Sequence, residues 1–380
     1  MNRLHRCQTC HARMIRWGSY LTKTGKKVRW RCQACAATTN SRVDSKAREI
    51  AMLIDFVTGK LTLAEFAGGG RTLQRRLARA WEYWPVAPAV DEVHHVVHVD
   101  GLYLAHRCVL LIAMSSRHVL AWHLARSERA SSWADLLAKI APPDVVITDG
   151  GSGFVKACRT QWPNTRIQRC LFHIQANVRS RTTSRPRHQA GVELYALAKA
   201  LTHIRTQDEQ TAWLDHYTRW CQKWKMTLAE KTRLADGRIV NTHERLVAAR
   251  NLINRRVKAG DMFTYLDPHL HMDGEPIPAT NNRIEGLNSQ LRAMLRTHRG
   301  WPLLRQIKAC MWWRYQHTSN PRPASELTTL MPTDTQIHEL YQQTAQHQAE
   351  TDQARQQHWG QAITWADLTW STNTLKAINE

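Results

Sequence analysis

Long apolar runs are missing from this 380-residue sequence: the longest, residues 108–114, falls far below the roughly 18 residues needed to span a bilayer. The N-terminus shows no apolar signal segment, so the expectation is a cytoplasmic protein rather than a secreted or membrane-spanning one. Acidic residues are scarce at the front, where none precedes Asp44 while nine Lys and Arg fall within residues 1–40. A disulfide framework is unsupported too. The nine cysteines are odd in number, and two close pairs have C-x-x-C spacing, which reads as thiols and metal ligands in a reducing compartment. The hydrophobic content of 43% can still bury an ordinary core, and roughly 100–200 residues per domain allows two to four domains.

The net charge of +22 is unevenly distributed. Residues 1–90 hold 17 bases against 5 acids, a net +12, whereas residues 321–380 hold 3 bases against 7 acids, a net −4. A basic front with an acidic tail suits a polyanion gripped at one end, and nucleic acid is the first candidate. Anionic membrane ranks below it, because no basic amphipathic segment with a clean Leu/Phe face is present.

Cys7-x-x-Cys10 and Cys32-x-x-Cys35 flank two strand-like stretches bearing Trp17, Tyr20, Val28 and Trp30, joined by a turn at Lys23-Thr-Gly-Lys26. Four thiolates in two knuckles are what one structural Zn²⁺ requires, and a zinc ribbon over residues 1–40 follows; four unrelated buried cysteines are the competing reading. Residues 41–90 read as a helix at 45–58, a short helix at 62–67, a turn at Gly68-Gly69-Gly70 and a helix at 71–84. That order fits a helix-turn-helix whose last helix presents Arg71, Thr72, Gln74, Arg75, Arg76 and Arg79 to a DNA major groove; a helical hairpin with a solvated basic face competes with it. Pro85 and Pro88 then mark a linker.

From residue 93 the pattern turns to strands at 93–104, 106–114 and 118–125, a helix at 131–140, a strand at 144–148, a helix at 153–162 and a strand at 165–171. The Val145-Val146-Ile147 run suits a parallel strand covered on both faces. Three strands in hairpin order, then helix, strand, helix, strand, is the order of a ribonuclease-H-like mixed sheet in an α/β fold. Between 174 and 279 the strand signal vanishes and apolar residues recur at helical spacing, an all-α insertion over 176–278. The sheet domain, 91–175, would resume at 279–320 with helices at 281–297 and 301–317, and a helical tail would follow at 321–380.

Three acids stand apart. Asp100 lies along the first strand of this sheet and Asp149 at the end of the fourth, which a right-handed crossover would make neighbours. Bare carboxylates side by side repel unless a cation sits between them, so the pair suggests Mg²⁺ held by oxygen ligands. Glu285 would be carried to the same rim if the stripe Ile284, Leu287, Leu291 and Leu295 packs on the sheet, with Asn281, Glu285, Asn288, Arg292 and Arg296 on the adjoining polar face. Arg292 and Arg296 would then lie along a phosphate backbone. Each acid alone reads equally as a turn, cap or solvated helix residue.

The blocks Asp149-Gly-Gly-Ser-Gly-Phe, Trp162-Pro163, Gln168-Arg169-Cys170-Leu-Phe-His173, Asn177 and Thr280-Asn-Asn-Arg-Ile-Glu285-Gly-Leu-Asn288 with Leu291-Arg292 resemble bacterial insertion-sequence transposases of the Mutator type. The zinc-ribbon front and Gly153-Phe154, where the main branch has a Leu-Pro pair, indicate a variant subgroup. The resemblance implies a DDE transposase with Asp100, Asp149 and Glu285 as its acids, and it marks Cys170 and His173. Those two are half a zinc site with no second half apparent in the sequence; a buried thiol and a histidine that donates to phosphate or orients an acid is the better reading.

The expected chemistry uses two Mg²⁺ (or Mn²⁺) ions about 4 Å apart, bridged by Asp100, for hydrolysis at the element's ends and then joining of the 3′-OH to target DNA. Partners would be the terminal inverted repeats and target duplex, bound by at least a dimer near the nucleoid. The rivals are a non-catalytic DNA-binding regulator derived from a transposase and a nuclease without strand transfer. Trp213, Trp220 and Trp224 could stack on unpaired bases, but core packing explains their helical spacing more simply.

Overall fold

The computed structural model describes residues 6–7, 10, 12–22, 25–39, 45–62, 69–271 and 276–358. Contacts divide the chain into two compact units, one of Met1–Leu53, Leu63–Pro85 and Pro323–Glu380, the other of Ile54–Thr62 and Val86–Arg322. Among the described residues, no helix is long and apolar enough to cross a membrane.

The first unit opens with the antiparallel strands β1 (Met14–Thr22), β2 (Gly25–Cys32) and β3 (Thr38–Thr39), paired in that order. Cys7, Met14 and Cys32 form its small core. Helix α1 (Ser45–Val57) buries Ile50, Leu53, Ile54 and Val57, an i, i+3, i+4, i+7 stripe. The short helix expected at 62–67 and the Lys23-Thr24 turn lie outside the described residues, apart from Thr62, which is not helical. Helix α2 (Gly69–Leu77) begins inside the glycine run that was expected to be a turn and stops seven residues before Trp84, followed by a single 3₁₀ turn at Ala80–Glu82. Leu73 and Leu77 are its buried i, i+4 pair.

In the second unit a five-stranded sheet has the order β6-β5-β4-β7-β8. Strands β4 (Val96–Leu104), β5 (Cys108–Met114) and β6 (Val119–Ala125) are antiparallel neighbours, while β7 (Val145–Thr148) runs parallel to β4 and β8 (Arg166–Arg169) parallel to β7. Helices α3 (Ala130–Leu137) and α4 (Ser152–Gln161) connect them on one face, where Trp133, Leu136 and Phe154 pack with Val97, Val99, Leu111 and Val146. The alternate residues Val96, Val145 and Ile147 turn to the other face, as strand periodicity dictates.

That second face shares one continuous core with a helical region: α5 (Leu171–Thr182), α6 (Gln189–Ala200), α7 (Gln207–Lys223), α8 (Lys225–Ala229) and α9 (Glu244–Ala259). Thr206 and Glu209 cap α7 reciprocally. The region is not wholly helical. β9 (Lys231–Arg233) and β10 (Ile239–Asn241) form an exposed hairpin whose loop contains Asp236-Gly237, with Gly237 at φ +83°. An Asp-Gly pair between short runs is a hairpin signal, but only three residues flank it on each side, too few for a strand period to show. Trp213 and Trp220 are buried, and their indole N–H groups donate to the Leu197 and Ala190 carbonyls at 2.9 and 3.0 Å. They serve the core rather than a nucleic-acid surface.

Helices α10 (Asn282–Thr297) and α11 (Leu303–Tyr315) pack on β4, and α11 is buried at every residue from Ile307 to Tyr315, the pattern of a helix enclosed on all sides. The tail returns to the first unit as α12 (Ala324–Leu330) and α13 (Asp334–His358), tied there by Trp84 N–H to the Pro332 carbonyl at 2.8 Å.

Because Trp220 stacks on Tyr217 at 6.0 Å and fills the helical core, Trp220→Ala is expected to destabilise the protein by about 3–5 kcal/mol, as read by denaturant unfolding. Trp224→Ala, at a half-buried position, should cost less than half of that.

Candidate active site

The parallel pairing of β4 with β7 sets Val96 against Val145, Val97 against Val146 and His98 against Ile147. Two residues further along each strand stand Asp100 and Asp149, on the face that turns to α10. The Asp100 carboxylate accepts from the Gly101 N–H at 2.9 Å and from Asn288 Nδ2 at 2.6 Å. Asp149 Oδ1 accepts from the Gly151 N–H at 3.3 Å. Burial, then the neighbouring Asp149 charge, raises the Asp100 pKa to about 6, despite the lowering effect of its two hydrogen bonds.

A third carboxylate at this place is Glu128, which precedes α3. A Cβ on Gly101 would collide with its Oε1 and one on Gly151 would touch its Oε2 at 3.6 Å, so the carboxylate sits between the glycines that follow the two aspartates. Burial followed by the charges of Asp149 and Asp100 pushes its pKa up. Sequence reasoning missed Glu128. Its only signal is its position at the start of the crossover from β6 to β7.

Helix α10 is fixed by two buried amides, not by the apolar stripe alone. Asn281, expected on the polar face, is fully buried: Nδ2 donates to the Val99 carbonyl at 2.9 Å, Oδ1 lies 2.9 Å from His98 Nδ1, and its N–H points to Cys170 Sγ at 3.2 Å. Asn288, also expected to be polar and outward, is equally buried. Its Nδ2 holds Asp100 and its Oδ1 accepts from Arg314 Nη2. The buried face is therefore Asn281, Ile284, Asn288 and Leu291, with Leu287 and Leu295 only half covered.

Glu285 lies between the two amides on α10, and its Oε1 is 3.4 Å from His173 Nδ1 and 3.8 Å from Cys170 Sγ. The ligating atoms of these three residues lie within 4.8 Å of one another, so the pair for which the sequence offered no further donor gains one. Burial pushes the Cys170 thiol up to about 11, so without a metal it is a hydrogen-bond donor to Glu285. The His173 imidazole also acts electrostatically on Asp100, whereas Glu285 itself groups with Cys170 and His173.

Hard oxygen donors, raised acid pKa values and the lack of any Lys or Arg nitrogen within 4.0 Å of Asp100, Asp149 or Glu128 among the described residues fit a divalent cation. Elsewhere, Cys7 and Cys35 bring their sulfurs to 3.5 Å and Cys10 and Cys32 to 3.3 Å, and all four lie within 4.8 Å, which suits one tetrahedral ion. Arg71, Gln74, Arg75 and Arg76 are exposed on α2 and Thr72 is half-buried, whereas Arg79 falls beyond the helix and is ion-paired with Glu49 of α1. Arg292 and Arg296 are exposed on α10.

Residues 89–259 match the family described as Transposase, Mutator family. Curated relatives include the transposase for insertion sequence element IS6120 of Mycolicibacterium smegmatis, 35% identical over 141 residues, which are 30% of this chain and 43% of that protein. A probable insertion-sequence transposase of Corynebacterium diphtheriae is 29% identical over 22% of this chain and 30% of its own length. The transposase for insertion sequence element IS905 of Lactococcus lactis is 28% identical over 24% of this chain and 28% of its own. The chain thus spans less than half the length of these relatives, and the family match ends before Glu285. The matched stretch, residues 89–259, carries Asp100, Asp149, Cys170 and His173, and over it the chain is similar to transposases of the Mutator family.

Proposed function

We propose that the protein is an insertion-sequence transposase that cleaves DNA at the element's ends and joins the freed 3′-OH to target DNA, with Asp100, Asp149 and Glu285 as its acids on a ribonuclease-H-like sheet. The observation that carries this reading is the parallel pairing of β4 with β7, which stands Asp100 and Asp149 near enough for the Asp149 charge to help raise the Asp100 pKa, while Glu285 gathers with Cys170 and His173. Asp100 and Asp149 would hold divalent Mg²⁺ or Mn²⁺, with Glu285 completing the shell. Such ions supply charge neutralisation at the scissile phosphate and an activated attacking oxygen. Asn288 orients the Asp100 carboxylate through Nδ2, and Arg314 holds that amide from behind. Cys170 donates to Glu285 Oε1, and His173 Nδ1 stands 3.4 Å from the same oxygen, so the two fix the place of that carboxylate. Recognition of the terminal repeats falls to the four-cysteine module, as a zinc ribbon, and to α1 and α2, as a helix-turn-helix whose Arg71, Thr72, Gln74, Arg75 and Arg76 face the groove. Arg292 and Arg296 on α10 contact the backbone. Holding two ends at once requires at least a dimer.

Asp100→Asn and Glu285→Gln are each expected to reduce end cleavage below detection while end binding, read by gel shift, stays within about twofold, because the basic front supplies most phosphate contacts. Retained cleavage by either variant would sink the assignment, and loss of joining alone with intact hydrolysis would leave a nuclease.

The raised Asp100 pKa carries a pH signature. The folded chain binds this proton more tightly than the unfolded one, so the stabilisation is present below the ordinary carboxylate value near 4 and is lost as pH rises through about 6. Metal-free protein should lose up to about 3 kcal/mol between pH 4 and 7, and Mg²⁺ should restore part of it at pH 7 but not at pH 4.5, as read by thermal unfolding.

One zinc per chain is expected by elemental analysis, falling below about 0.2 in Cys32→Ser, with end binding lost in parallel.

A further inference from the structure

Arg169, the last residue of β8, carries a guanidinium with no contact ion pair among the described residues. The residue is 8% exposed, its Nε is buried with no hydrogen-bond partner, and among the described residues no carboxylate lies within 4.0 Å of it. Asp261, whose backbone carbonyl accepts from the Arg169 backbone N–H at 2.7 Å, gives its carboxylate to Arg256 Nη1 at 2.6 Å instead. Asp261 and, more weakly, Asp149 act on Arg169 from beyond ion-pair range, and Asp261 Oδ1 is itself buried without a hydrogen-bond partner. A buried cation in this condition is costly unless an anion completes its surroundings.

The space for that anion is present. Arg169, Arg255, Arg256, the half-buried Asn177 and Gly150 line a cavity of about 120 Å³, and no acid lines it. Arg169 Nη1 occupies the place that a Cβ on Gly150 would take, which puts the guanidinium directly beside the residue that follows Asp149. Burial and the like charge of Arg256 both oppose the charged form of Arg169, as expected where cations gather around a missing ligand.

We propose that this cavity is a phosphate pocket, and that the group it takes is a backbone phosphodiester of the DNA strand lying against Asp149, held by Arg169, Arg255, Arg256 and Asn177. The DNA assignment rests on the transposase reading; the anion pocket does not. Arginine forks suit phosphate oxygens, and Asn177 adds a neutral donor. Inorganic phosphate shares this chemistry, so two measurements are needed to separate the sources.

In the first, full-length protein in EDTA is titrated by fluorescence anisotropy with a duplex of the element's end and with the same duplex carrying one neutral methylphosphonate at each successive position around the cut. One position should weaken wild-type binding roughly five- to tenfold, and the same position should matter less than about twofold in Arg169→Gln and Arg255→Gln. Arg255 is exposed, so Arg255→Gln keeps the test valid if Arg169→Gln does not fold. In the second, thermal unfolding is compared in sodium phosphate and in sodium chloride at equal ionic strength.

Phosphate-specific protection of the wild type that is absent in Arg255→Gln supports the pocket even if no duplex binds, which separates its fate from that of the transposase reading. Protection by phosphate without any sensitive backbone position assigns the pocket to the free ion and overturns the DNA assignment. Neither protection nor a position that distinguishes the variants overturns the pocket itself.

Discussion

Electrostatic repulsion between Asp100 and Asp149 is the constraint on which this site depends. Parallel pairing of β4 with β7 at the middle of the sheet forces the two carboxylates together, and burial denies Asp100 water. The surroundings relieve this only in part. Asp100 receives a backbone N–H and an amide but no cation, and the one buried arginine directed at it, Arg314, reaches it through Asn288 rather than directly. Contact with a guanidinium would neutralise the aspartate and take up its lone pairs; a neutral amide fixes the rotamer and leaves charge and oxygens available. On the proposed function, the residual repulsion is what a divalent ion would discharge.

The same use of neutral amides explains how a helix 185 residues along the chain meets β4 in register. Apolar contacts alone would let α10 slide, since leucine and isoleucine tolerate neighbours of many kinds. Asn281 and Asn288 do not. They stand two helical turns apart, and a slip of one turn would leave two amides, the His98 imidazole and the Val99 carbonyl without partners in a dry interior. Glu285, between them, inherits its position from their hydrogen bonds. Cys170 belongs to the same clamp, because its sulfur accepts the Asn281 N–H while its thiol faces Glu285.

Much of this is legible in the sequence. The succession of strands and helices from 93 to 171 can be read because buried parallel strands are uniformly apolar and crossover helices are amphipathic, and the adjacency of Asp100 and Asp149 follows from chain order. The C-x-x-C repeat announces the sulfur cluster. The failures have a common cause. Periodicity places Asn281 and Asn288 outward because it treats every amide as polar surface, and it cannot recognise one buried with its hydrogen bonds made. Glu128 escapes notice because it sits against glycines of β4 and of the turn before α4, which no local pattern records. Arg79 is counted on a helix that ends at Leu77, since an arginine-rich stretch reads as helical until tertiary contacts stop it.

Gly150 is where the acidic and basic halves of the site meet. Its φ of +82° turns the chain sharply after β7, so that Asp149 faces the other acids while the Arg169 guanidinium occupies the volume that any side chain at 150 would need. The residue separates negative from positive by one peptide. A phosphodiester backbone carries a negative charge at every nucleotide and can lie across such a boundary only if its charge on the acid side is screened by metal while its next charge is met by arginine. On the proposed function, the Asp149-Gly150 pair at the end of β7 thus does more than end a strand: it sets the point at which a metal-screened phosphate of the backbone gives way to one met by arginine.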